Sequence, residues 1–227
     1  MKVVVIIPAF NPDNKLINLV NELKSVYEKI IVVDDGSDNK NIFKKIENDC
    51  VILKHDKNYG KGRAIKTGLI YYMDNDFSNY CGVVLADADG QHIKEDIINV
   101  SNELEKNDEF ILGTRLFNTK EVPFRNKIGN RITSWLFKKL YGIYLKDTQT
   151  GLRAIPNKLI PEMINISGYR FEYEMNVLTY LVKKKKRIVE CDIHSVYLID
   201  SNKKSHFKVI KDSYKIYKLM FKNRKMS

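Results

Sequence analysis

Three short segments of this 227-residue chain combine residue types that can do chemistry. In Leu85-Ala86-Asp87-Ala88-Asp89-Gly90-Gln91-His92 an apolar run ends in two carboxylates one residue apart, followed by an amide. Hard oxygen ligands of this kind suit Mg²⁺ or Mn²⁺ held jointly with substrate phosphates. A cation there would act as a Lewis acid on a diphosphate leaving group. The plainer reading is a strand ending in an acidic turn. Val32-Val33-Asp34-Asp35-Gly36-Ser37 repeats the pattern, and a carboxylate past a strand end can accept hydrogen bonds from a nucleobase or ribose. Asp-Gly-Ser also makes ordinary turns. Between them, Asn58-Tyr59-Gly60-Lys61-Gly62-Arg63-Ala64 opens a helix whose N-terminus favours anions, or is simply a loop capping that helix. It matches neither a Walker loop nor a G-x-G-x-x-G fingerprint.

The elements that must position these segments alternate in period. Strand-like runs at Lys2 to Ile7, Ile30 to Val33, Val51 to Leu53 and Gly82 to Ala86 are separated by helical spacing at Leu16 to Leu23, Asn41 to Glu47 and Lys61 to Asp74. Asp13 is the expected cap of the first helix. Such alternation predicts an α/β fold with a mainly parallel central sheet and helices on both faces. Ligands of such sheets bind beyond the carboxyl ends of the strands, which points to Pro8 to Asn11, Asp34 to Ser37 and Asp87 to Gln91. Further on, a helix at Ile93 to Glu105, a strand at Phe110 to Gly113 and a basic amphipathic segment from Arg125 to Tyr141 precede a polar stretch, Asp147 to Arg153. A helix near Glu172 to Lys184, a strand near Ile188 to Asp192 and a last helix at about 206–223 complete the expectation. One domain over 1–227 follows, with a nucleotide-sugar half at 1–114 and an acceptor half at 115–227.

The charge is uneven. The total is +11, but residues 183–227 hold 14 Lys and Arg against 4 acidic residues, leaving 1–182 nearly neutral. That distribution argues against a nucleic-acid binder. No apolar run approaches the roughly 18 to 20 residues that span a bilayer, and the first residues lack a signal-peptide pattern. A cytoplasmic protein, peripheral at the inner face of the plasma membrane, is expected. Cys50, Cys81 and Cys191 are expected as buried free thiols.

Taken together, Val4 to Asn11 (VVIIPAFN), Val32 to Ser37 (VVDDGS), the Gly60 to Gly68 loop and Leu85 to His92 (LADADGQH) resemble family 2 glycosyltransferases of the GT-A fold. The likeness is greatest to the dolichyl-phosphate mannose synthase-like branch and covers about residues 2 to 215. It implies a metal-dependent, inverting transfer of a hexose from a nucleotide sugar (GDP-mannose or UDP-glucose type) to polyprenyl phosphate at the cytoplasmic membrane face. The alternatives are transfer to a hydroxyl of a cell-surface glycan and a catalytically silent nucleotide-binding membrane scaffold.

By position, the resemblance places Pro8, Phe10, Asn11, Asp35, Lys61 and Asp87 around the donor nucleotide and Asp87, Asp89 and Gln91 around Mg²⁺ or Mn²⁺. Arg115 and Arg125 would hold the acceptor phosphate, with Lys204 and His206 as further acceptor-side residues; Asp89, Asp147, Arg115 and Arg125 form the catalytic set. Asp147 is either a general base for a hydroxyl acceptor or, with an already ionised phosphate acceptor, a positioner of substrate or arginine. Glu172 and Glu174 match a segment near the site, or serve only the helix dipole. Pro12 stands where these synthases often have Glu, and Gly129 near where one branch has Ser. Within the last helix Phe207, Ile210, Tyr214, Tyr217 and Phe221 form one face and Lys208, Lys211, Lys215, Lys218 and Lys222 another. That pattern fits an anionic membrane surface, or a helix packed on the domain with solvated lysines.

Overall fold

The computed structural model describes residues 1–116 and 124–194, with only the backbone at 124–127. The anticipated tail helix, with Lys204 and His206, lies outside the described residues.

Strands β1 (Val3–Ala9), β2 (Ile30–Asp34), β3 (Val51–Lys54) and β4 (Gly82–Leu85) alternate with helices α1 (Asn14–Leu23), α2 (Asn41–Lys44) and α3 (Lys61–Asp74). Then come α4 (Lys94–Asn107), β5 (Phe110–Arg115), α5 (Phe124–Tyr141), β6 (Arg153–Pro156), a 3₁₀ turn, α6 (Ile160–Asn165), α7 (Glu172–Lys183) and β7 (Ile188–Ile193). The seven strands form one sheet in the order β3-β2-β1-β4-β6-β5-β7. β6 alone runs antiparallel to its neighbours β4 and β5; the other pairings are parallel.

Alternate strand residues feed two cores, as the period of two requires. Val4, Ile6, Ile31, Val33, Val83 and Leu85 pack with α3, α5, α6 and α7. Val3, Val5, Ile7, Ile30, Val32 and Val84 pack with α1, α2 and α4 on the opposite face. Burial on both faces explains why these strands read as unbroken apolar runs. Asp13 caps α1 as expected, its carboxylate accepting from the Lys15 backbone N–H. The three cysteines are free and half-buried.

Two elements escape the sequence pattern. β6 offers only Ala154 and Ile155 between Arg153 and Pro156, and α6, which follows the 3₁₀ turn, has only six residues. β6 decides the site's geometry. Because β6 runs against β4 and β5, its entry at Arg153 pairs with Leu85, the last residue of β4, and with Leu112, three residues before the end of β5.

Candidate active site

One edge of the sheet therefore collects the ends of β1, β2, β4 and β5 and the start of β6. On the β1/β2 side, Pro8 lies inside β1 rather than after it, and Pro8 and Phe10 are half-buried. Asn11 takes φ 48°, a left-handed conformation that Asn tolerates better than most residues. Its N–H donates to Ser37 Oγ at 2.8 Å, and its amide exchanges two bonds with Asp38. The turn after β2 is thereby locked to the end of β1.

Asp34 accepts from the Ser37 N–H at 2.8 Å and pairs with Lys40 at 2.7 Å. Asp35 is buried beneath the glycine loop, accepting from the N–H groups of Tyr59 (3.0 Å) and Gly60 (2.7 Å), with His55 Nδ1 at 2.7 Å. Gly60 sits at φ 107°, where a side chain would also meet Arg170 and the Tyr169 carbonyl. Asp35 thus shapes the loop that starts α3. Asp35→Ala is expected to lower unfolding stability by about 1–3 kcal/mol, measured by urea denaturation, because it strands buried backbone donors.

At the centre, Lys61 Nζ lies 2.7 Å from Asp87 Oδ1 and 3.0 Å from Glu174 Oε1. Burial disfavours the ammonium, but the two carboxylates overcome it and hold the lysine pKa above its usual value. Asp87 is likewise held below the carboxylate range: burial opposes its charge and Lys61, His92 and Arg153 prevail. The buried His92 ring accepts at Nδ1 from the Asp87 N–H at 3.0 Å, which leaves its proton on Nε2. Burial pushes its pKa down. Asp89 is exposed at the rim and bonded to the Gln91 N–H at 3.0 Å; desolvation within the cleft and the Asp87 charge raise its pKa. Two carboxylates that repel each other in this way favour a cation between or beside them.

The segment entering β6 backs this cluster. A Cβ on Gly151 would lie 2.3 Å from Asp87 Oδ2, so only glycine lets the carboxylate occupy its place. Arg153 is buried, donating from Nε to the Thr150 carbonyl (3.0 Å) and from Nη1 to the Glu174 carbonyl (2.7 Å). Its Nη2 has no hydrogen-bond partner among the described residues.

On the β5 side, Arg115 and Asp147 meet in a two-pronged ion pair, Nε to Oδ2 at 2.6 Å and Nη2 to Oδ1 at 3.0 Å. Asp147 is fully buried and also accepts from the Gln149 N–H at 3.0 Å. Both carboxylate oxygens are thus committed to donors, an arrangement that orients a guanidinium rather than one that removes protons. Arg125 is the second residue of α5, with its side chain outside the description.

Glu174 does more than stabilise a helix dipole, since it joins α7 to Lys61 across 113 residues. Glu172 instead accepts from the N–H groups of Tyr169 and Arg170, both at 3.2 Å. Within the polar stretch Asp147 to Arg153 the sequence assigns a role only to Asp147; those of Gly151 and Arg153 rest on contacts with Asp87 and Glu174 that only the fold brings about. Among the described residues no three His, Cys, Asp or Glu side chains converge as a metal cage. Mg²⁺ usually takes one or two carboxylates and completes its shell with water and substrate phosphate, so Asp87, Asp89 and the Gln91 amide fit such a cation.

The family model described as glycosyl transferase family 2 matches residues 4–177. A UDP-N-acetylglucosamine--dolichyl-phosphate N-acetylglucosaminyltransferase from Methanococcus voltae is 33% identical over 219 residues, covering 85% of this chain and 84% of that relative. A dolichyl-phosphate beta-glucosyltransferase from Dictyostelium discoideum is 28% identical over 219 residues, covering 79% and 62%. Among solved structures, glucosyl-3-phosphoglycerate synthase from Mycobacterium tuberculosis, in complex with Mn²⁺, UDP and phosphoglyceric acid, superposes with a TM-score of 0.75. It is 13% identical and covers 98% of this chain and 78% of that one, a likeness of fold.

Proposed function

Because the chain belongs to glycosyl transferase family 2, and is therefore a glycosyltransferase, we propose that it moves a sugar from a nucleotide sugar to a polyprenyl phosphate. The observation that carries the choice of acceptor is the Arg115–Asp147 pair. A phosphate acceptor is already ionised and needs a positioned cation, whereas a hydroxyl acceptor needs an uncommitted base. The two relatives named above carry dolichyl phosphate in their names and differ in the sugar, N-acetylglucosamine or glucose. UDP-linked sugars therefore lead the donor panel, with GDP-mannose beside them.

In this reading the nucleotide lies across the ends of β1 and β2, against Pro8, Phe10 and Asn11, with Asp35 setting the shape of the pocket floor. Asp87, Asp89 and Gln91 would hold Mg²⁺ or Mn²⁺, which when bound neutralises charge on the departing diphosphate. Lys61 presents a second positive charge to the same diphosphate, tethered by Glu174. Arg115, held by Asp147, orients the acceptor phosphate, and Arg125 would join it. An acceptor phosphate oxygen forms the new bond to the anomeric carbon as the bond to the nucleoside diphosphate breaks, and configuration inverts. No proton has to be removed.

Among the described residues no helix is long and apolar enough to cross a membrane. Work at the cytoplasmic membrane surface, where the lipid phosphate is reached from water, follows from the proposed substrates. Donor binding is tested by thermal shift with UDP- and GDP-sugars in Mn²⁺ or Mg²⁺; no stabilisation by any of them would refute the donor half. For the acceptor half, Asp147→Asn is expected to raise the KM for polyprenyl phosphate while kcat falls less than about tenfold. A general base would instead cost about 10²–10⁴-fold in kcat, and that result would favour a hydroxyl acceptor.

A further inference from the structure

Lys66, in the second turn of α3, is only 6% exposed, and among the described residues no carboxylate pairs with it. An ammonium without a counter-ion is costly to bury. Burial and the charge of Arg63 accordingly hold its pKa below the usual lysine value. The surroundings answer the charge in another way. Lys66 Nζ donates to the Ile166 carbonyl and lies 5.2 Å from the ring centroids of both Tyr169 and Tyr173. A carbonyl and two aromatic rings are what a desolvated ammonium can accept in place of a carboxylate.

The three partners span residues 166–173, the connection from α6 and the first turn of α7. Other contacts close the same seam. The Arg63 N–H donates to the Tyr169 carbonyl at 2.9 Å, Asn176 Nδ2 to the Ser167 carbonyl at 2.8 Å and the Tyr173 hydroxyl to the Met163 carbonyl at 2.9 Å. α3 and α7 approach so closely here that a Cβ on Gly62 would lie 2.5 Å from Tyr173 Cβ. One residue further, Glu174 reaches Lys61 Nζ at 3.0 Å. The turn of α7 that Lys66 grips is therefore the turn that tethers Lys61.

We infer that Lys66 is a positioning residue for the donor diphosphate: by drawing Ile166, Tyr169 and Tyr173 onto α3 it fixes the first turn of α7, and with it the Glu174 carboxylate that aims Lys61. The inference rests on the reading of Lys61 as a diphosphate contact. Lysine suits the task because its long stem packs between rings while its head still donates to a carbonyl 100 residues away in sequence. Methionine would fill the same space and take that donor away.

A double-mutant cycle on nucleotide binding tests this. The Kd is measured by calorimetry, in Mn²⁺, with whichever of UDP and GDP binds the wild type more tightly. Lys66→Met and Glu174→Gln should each weaken binding about tenfold. The double variant should bind no more weakly than Glu174→Gln alone, because Lys66 acts through that carboxylate. Tyr169→Leu removes one wall of the cage at a residue 58% exposed, where folding is not at stake. It should weaken binding about two- to fivefold, and this effect too should vanish in the Glu174→Gln background. A purely structural role would lower the midpoint of ligand-free thermal unfolding and leave the Kd unchanged. That result, or losses of affinity that add to those of Glu174→Gln, would overturn the inference and leave the reading of Lys61 standing. A wild type that binds neither diphosphate would refute the donor reading and this inference with it.

Discussion

Asp89→Ala is expected to lower sugar transfer by about 10²–10³-fold, the usual cost of removing one group that stabilises developing charge. The loss falls on kcat, because charge on the diphosphate grows as its bond to the sugar breaks. The fold should not suffer. Asp89 is exposed, and its hydrogen bond among the described residues is to the Gln91 N–H in its own turn. Thermal unfolding without ligands should match wild type, while the stabilisation by nucleoside diphosphate with Mn²⁺ or Mg²⁺ should shrink. A variant that transfers at the normal rate would remove Asp89 from the site.

Gly151→Ala, one methyl group, is expected to lower kcat by about 10²-fold. The new Cβ would fall 2.3 Å from Asp87 Oδ2 and 2.8 Å from Cγ. Since Lys61 draws the other oxygen at 2.7 Å, the carboxylate must swing away from the cluster or the backbone of the β6 entry must retreat. A displacement of about 1 Å at a reacting centre costs on this scale. The accompanying loss of stability should stay near 1–3 kcal/mol, as for other overpacked sites. Steady-state kinetics beside urea unfolding separates the two effects. A variant with normal kcat would show that Asp87 tolerates the move and does not act from its present position.

Local pattern carried much of this structure and long-range pairing the rest. The apolar runs of β1, β2 and β4 and the acidic turns that follow β2 and β4 are readable because burial on both faces and the strand-end rule leave a local signature. β6 leaves none, with two apolar residues between a buried arginine and a proline. The contacts that organise the site also join distant residues. Lys61 meets Glu174 across 113 residues and Arg115 meets Asp147 across 32. From sequence, Arg115 and Asp147 were given separate roles, although the resemblance left open that Asp147 positions an arginine. The segment from Arg125 to Tyr141 reads as basic and amphipathic, but that α5 turns Asn130, Thr133 and Ser134 inward and Trp135 outward is set by its packing and not by that pattern.

The most direct measurement is the product itself: the protein incubated with polyprenyl phosphate, Mn²⁺ or Mg²⁺ and each nucleotide sugar in turn, followed by mass spectrometry of the lipid fraction. The account predicts a polyprenyl-phosphate monosaccharide with one donor, absent when the cation is chelated and strongly reduced in Asp89→Ala. A lipid phosphate left unmodified by every donor, with the same sugars passing to a glycan hydroxyl instead, would contradict it.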